Sequence, residues 1–159
     1  MKSDRIKFSI FCLVVFAIVC LPLSKPVFKE YSNISNCQYT FYVSGSVDKI
    51  NNATVTKNGN ASVVSCSAEF SGNIKNQLSD ILGESVCFYK PSQKTTNYIL
   101  DMLTSKILFS ENVQENKIYY AYDETLPRFV MVNNQKVNLQ IAINDNFIKI
   151  GYPLILDSF

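Results

Sequence analysis

The chain has 159 residues, 47% hydrophobic and 13% aromatic, which suffices for one packed domain and is too apolar for a disordered chain. Its formal charge of +2 is an N-terminal effect: Lys2, Arg5, Lys7 and Asp4 precede an apolar segment, leaving 12 of the 15 basic and 12 of the 13 acidic residues from Ser24 onward. That neutral remainder holds one arginine, Arg128, and the whole chain has no histidine. These counts weigh against nucleic-acid binding, remove the usual base of a serine or cysteine nucleophile, and exclude an imidazole metal site.

The sixteen residues from Phe8 to Leu23 are apolar apart from Ser9 and follow three cations, the pattern of an export signal whose positive flank stays in the cytoplasm. Residues 1–24 therefore read as a signal peptide or a signal-anchor. No small-x-small cleavage site stands out between Cys20 and Pro26, and the segment is slightly short for a full span. Cys20 follows Ala17-Ile18-Val19, whereas a lipidation signal prefers a small residue just before the cysteine. Ser24 onward is expected to be extracytoplasmic, either membrane-anchored by the N-terminal segment or secreted after its cleavage. Residues 25–36, with Pro26 and no regular apolar spacing, read as a tether, and 37–159 as a single domain.

Cys37, Tyr39, Phe41 and Val43 alternate with polar or exposed positions, predicting a strand that runs to about Val47. Val64, Cys66, Ala68 and Phe70 predict a second strand, pairing with the first across an asparagine-rich loop in which Thr54–Thr56 forms a minor strand. Ile74, Leu78, Ile81 and Leu82 fall at i, i+4, i+7 and i+8, predicting a helix from an N-cap at Asn73 to a stop at Gly83. Val86–Tyr89 reads as a strand ended by Pro91. A second helix, starting between Ser92 and Thr96 and running to about Lys106, is expected to bury Tyr98, Ile99, Met102 and Leu103. A strand from Ile107 to near Asn112 follows, then one in which Ile118, Tyr120 and Tyr122 alternate with Tyr119 and Ala121 until Leu126-Pro127 breaks it. Finally Val137, Leu139, Ile141 and Ile143 alternate along one strand, Asn144-Asp145-Asn146 turns, and Phe147–Ile150 returns antiparallel. The order predicts an α+β domain with two helices packed on one face of an antiparallel sheet.

Asp123-Glu124 and the i, i+4 pair Asp80 and Glu84 are the carboxylate pairs, but sequence proximity does not hold two carboxylates across a cleft as a glycosidase needs, so they read as solvated turn and helix residues. Cys37, Cys66 and Cys87 match no metal or redox motif. Cys37 and Cys66 fall on inward positions, as small buried hydrophobes or as the two ends of a disulfide that an exported compartment permits. Asn33, Asn52 and Asn60 each open a glycosylation tripeptide, a pattern that arises by chance in an asparagine-rich chain. Tyr119, Tyr120, Tyr122 and Phe129 concentrate aromatic surface, and Tyr119 is the candidate for an exposed contact if its alternating neighbours are core.

The run Lys136-Val137-Asn138-Leu139-Gln140-Ile141-Ala142, followed after a turn by Ile150-Gly151-Tyr152-Pro153 and two aliphatics, resembles the C-terminus of the YwmB family of Gram-positive bacteria, where a K-x-N-L-Q-I-A strand precedes a G-x-P strand. The resemblance runs from about Thr95 to Ile155. The turn here is shorter, and the chain ends in Asp157-Ser158-Phe159 rather than the family's acidic-aromatic ending. It implies a TATA-box-binding-protein-like fold, an export signal and no established activity, and it marks Asn138, Gln140, Gly151 and Pro153 as motif positions. Gly151 and Pro153 are expected to shape the end of an edge strand. Asn138 and Gln140 would need hydrogen-bond partners under a helix, or would be open to a ligand on a free face. The resulting expectation is a non-enzymatic envelope protein without cofactor, binding an envelope protein or wall polymer through Tyr119, Asn138 or Gln140. A nucleic-acid-binding saddle, a glycosylated ectodomain and a carboxylate hydrolase are the alternatives.

Overall fold

The computed structural model describes Phe28, residues 36–104 and residues 106–157; the N-terminal segment and the Asn33 tripeptide lie outside the described residues. The strands are β1 (Cys37–Ser44), β2 (Thr54–Asn58), β3 (Ala61–Ser67), β4 (Ile81–Tyr89), β5 (Ile107–Val113), β6 (Asn116–Ala121), β7 (Val130–Val132), β8 (Gln135–Val137), β9 (Leu139–Ile143) and β10 (Phe147–Tyr152). Helix α1 (Ala68–Gln77) lies between β3 and β4, and α2 (Gln93–Thr104) between β4 and β5. Eight strands form one sheet in the order β2-β3-β1-β4-β10-β9-β6-β5, every neighbouring pair antiparallel, while β7 and β8 form a separate ribbon. The expected α+β class, with a large antiparallel sheet and two helices, is what the described residues show.

Alternation places the core on one face. Tyr39, Phe41 and Val43 of β1, Val86 and Phe88 of β4, Ile148 and Ile150 of β10, and Leu139 and Ile141 of β9 join one buried cluster. Ile74 of α1 and Ile99 and Leu103 of α2 complete it, so both helices cover that face. Tyr98, expected inside, is 52% exposed. Phe28 also belongs to the core: its ring is 2% exposed and its carbonyl oxygen accepts a hydrogen bond from the Tyr39 hydroxyl at 2.6 Å. Phe28, which falls within the stretch 25–36 that reads as a tether, is therefore part of the domain.

Three boundaries differ from the sequence expectation for identifiable reasons. The helix begins at Ala68 rather than Asn73, with Ser67 at the N-cap position and Glu69 in the first turn, where a negative charge suits the helix dipole. Ala68 and Phe70, whose spacing resembled a strand, instead pack on the core from the helix. The chain reverses at Asp80, in the left-handed region at φ 52°, and Ile81 enters β4 opposite Val43. The final alternating run is split: β8 ends at Val137 and β9 starts at Leu139, with Asn138 between them. The β7–β8 ribbon turns through Asn133 and Asn134, both with positive φ, the backbone that a two-residue hairpin requires and asparagine tolerates. The β9–β10 turn is as expected, with the Asn144 side-chain oxygen accepting from the Asn146 and Phe147 amides at 2.8 and 3.0 Å.

Candidate functional site

Tyr119, Asn138 and Gln140, the residues singled out as a contact surface, do not form one. Tyr119 lies opposite Ile141 on the helix-covered face, half-buried against the core with the Lys117 ammonium 5.1 Å from its ring centre. Asn138 is 0% exposed: its amide donates to the Asp123 and Leu126 carbonyls at 2.7 and 3.3 Å, and its side-chain oxygen accepts the Asp123 amide at 2.7 Å. It ties the 123–126 loop to the β8–β9 break. Gln140 is on the other face, where its side-chain oxygen accepts the Ile155 amide at 3.0 Å. Gly151 and Pro153 do not end an edge strand, because β10 lies between β4 and β9 near the middle of the sheet. A Cβ on Gly151 would fall 2.5 Å from the Ile155 nitrogen, so glycine is demanded by the C-terminal segment folding back over the strand.

The carboxylates separate too. Asp80 sits in the turn before β4, while Glu84 is buried within β4 with both oxygens on the Lys75 ammonium of α1, at 2.9 and 3.0 Å. Asp123 pairs with Lys106 at 2.7 Å and accepts from the Thr125 amide and hydroxyl. Burial pushes the Asp123 carboxyl up, but Lys106 and Thr125 together outweigh it and hold the group below its ordinary value of 3.8. A depressed folded value means that the stabilisation is complete above the unfolded value and is lost as pH falls through the folded one. Acid titration of unfolding is expected to lose less stability below about pH 4 in Asp123→Asn than in the native chain; identical acid limbs would contradict this.

Cys37, Cys66 and Cys87 are free thiols. The Cys37–Cys66 bridge is absent for a geometric reason: Cys66 lies opposite Tyr39, making Cys37 its diagonal neighbour, and such pairs lie about 7–8 Å apart, beyond the usual disulfide span. Burial pushes the Cys66 thiol up to about 11 and raises Cys37 and Cys87, favouring the protonated thiol at each.

A concave site does form where β1 begins and β3 and β4 end. The 49–54 segment closes over that end of the sheet and leaves a cleft of about 770 Å³, a volume suited to a small ligand or a few units of a polymer. Its walls carry the amides of Gln38, Asn51 and Asn52 and the hydroxyls of Thr54, Ser65 and Ser67, with Lys49 as a cation and no carboxylate in the lining. Tyr89, half-exposed at the rim, donates its hydroxyl to the Gln38 side-chain oxygen at 2.8 Å, which fixes the ring as a platform. Amides and hydroxyls donate and accept at once, and an aromatic face takes apolar C–H surface; that is recognition chemistry for a hydroxyl-rich ligand. The thiols of Cys37 and Cys66 and the side chains of Ile50 and Ala53 also line the cleft. Of these amides and hydroxyls sequence reasoning singled out Asn52 alone, as the start of a glycosylation tripeptide; the others come from polar alternate positions of strands and from the asparagine-rich loop, which read as solvated, and the signal was the density of asparagine around 51–60.

No protein-family model, curated protein or solved structure matches the chain.

Proposed function

We propose that the chain is an exported, non-enzymatic interaction module of the bacterial envelope, and that the cleft beside Tyr89 holds a segment of a hydroxyl-rich wall polymer. The observation that carries this reading is the cleft itself, lined by side-chain amides and hydroxyls around a fixed aromatic ring and a single lysine. The cationic, apolar N-terminal segment supports export. The likeness to the YwmB family supports an envelope setting and a TATA-box-binding-like arrangement, in which a sheet keeps its helices on one face. A saddle for nucleic acid is disfavoured by charge. Lys149, on the helix-free face, is paired with Asp157, and Arg128 is a structural clamp, donating to the Ile81 and Leu82 carbonyls and lying 4.9 Å from the Tyr152 ring centre. Tyr89→Ala is expected to weaken retention on purified Gram-positive wall glycan about tenfold, equivalent to about 1.4 kcal/mol, with unfolding unchanged. Undiminished retention by the folded variant would refute the assignment of the cleft.

A further inference from the structure

The helix-free face of the sheet carries a second site, filled by the chain itself. Leu154–Asp157 leave β10 and double back across the central strands, and the floor beneath them is made of small residues. A Cβ on Gly151 would meet the Ile155 nitrogen at 2.5 Å, and one on Gly83 would meet the Leu156 side chain at 3.0 Å. Several contacts hold the segment, with Tyr42 beside Asp157 and Leu156 among them. The Ile155 amide donates to the Gln140 side-chain oxygen at 3.0 Å. The Ile155 side chain enters an apolar slot formed by Ile118 and Ala142, with Tyr120 and Phe147 packed beside it. The Lys149 ammonium, itself buried, donates to the Asp157 carboxylate at 2.5 Å. Leu156, between the two anchoring side chains, is half-exposed. A glycine floor that admits a backbone, a side-chain acceptor for one amide, an aliphatic slot and a buried cation two residues further on are the parts of an extended-peptide site.

We propose that this groove is a peptide-docking site, which accepts from a partner protein an extended segment with an aliphatic side chain followed two residues later by a carboxylate, in competition with the chain's own Ile155 and Asp157. The argument is the occupant already seated there and the charge complementarity of Lys149 with its carboxylate. It is independent of the cleft beside Tyr89.

The test uses the full chain with its own segment weakened by Ile155→Ser and Asp157→Asn, and a fluorescent peptide spanning Pro153 to Phe159 as the probe. The weakened chain is expected to bind the peptide at least tenfold more tightly than the native chain, because self-occupancy is a competitor that the substitutions remove. Adding Lys149→Glu is expected to abolish binding, and a peptide carrying Asp157→Lys to restore it. A weakened chain that is folded by circular dichroism and does not bind, or binds regardless of charge at Lys149, would overturn the proposal. If the weakened chain fails to fold, the native chain is irradiated with the peptide carrying a photoreactive residue at the Ile155 position. Adducts on Ile118 or Ala142 support docking there, and adducts elsewhere or none overturn it. Tail exchange between two copies, seen as a dimer of the weakened chain, would replace the partner by a second copy and overturn that part.

Discussion

Lys75→Met is expected to destabilise the domain by about 3 kcal/mol, because it strips a buried carboxylate of the ammonium that neutralises it. The Glu84 side chain is 1% exposed and that of Lys75 12%, and the ammonium reaches both carboxylate oxygens. The pair links α1 to the middle of β4, where Glu84 faces Phe41 on one side and Tyr152 on the other, so water cannot readily replace the lysine. Desolvating two charges is costly, and removing one partner leaves that cost without its compensation. Lys75→Met with Glu84→Leu is therefore expected to recover most of the loss, since it removes both charges at similar volume. Urea midpoints of the single and double variants measure this. A single variant within about 0.5 kcal/mol of the native chain, the range of an ordinary surface change, would contradict it.

Phe28→Ala is expected to cost about 3–5 kcal/mol, the range for removing a phenylalanine from a packed core. Phe28 lies nine residues before Cys37, where the first strand begins to pair, yet its ring is nearly as enclosed as Phe41 or Phe88, and its carbonyl oxygen accepts from the Tyr39 hydroxyl. Phe129→Ala is the control, since that ring is 44% exposed and its loss is expected to stay within about 0.5 kcal/mol. Equal denaturation midpoints for the two variants would show that Phe28 is not part of the cooperative unit.

What the sequence disclosed and what it concealed follow from the range of the interactions involved. Strands β1, β3, β6, β9 and β10 and helix α2 were legible because period-2 or helical spacing is a local signal, and Asn144 announced its turn by a side chain that bonds its own backbone. Helix α1 was displaced because Ile81 and Leu82 continue the helical spacing of Ile74 and Leu78, while β4 recruits Ile81 through pairing with Val43, a partner distant in sequence, and takes Leu82 at the adjoining register shift. Asn138 and Gln140 looked like surface amides, and only the third dimension shows the loop and the C-terminal segment that each one satisfies. Gly151 was noticed but explained by an edge strand. Its real constraint is the backbone of Ile155, which crosses over it. The cleft was the least legible feature, since its amides and hydroxyls come from four separate stretches that no spacing rule connects.

The claim that the cleft takes a hydroxyl-rich wall polymer is tested most directly in growing Gram-positive cells expressing the full-length chain with a photoreactive residue in place of Asn51, and a second version with it in place of exposed Lys57 on β2. After irradiation, the Asn51 version is expected to run as a high-mass ladder that collapses on digestion with a wall-glycan hydrolase, and the Lys57 version to remain a single band. An Asn51 adduct that resists the hydrolase, or equal ladders from both positions, would contradict polymer binding in the cleft.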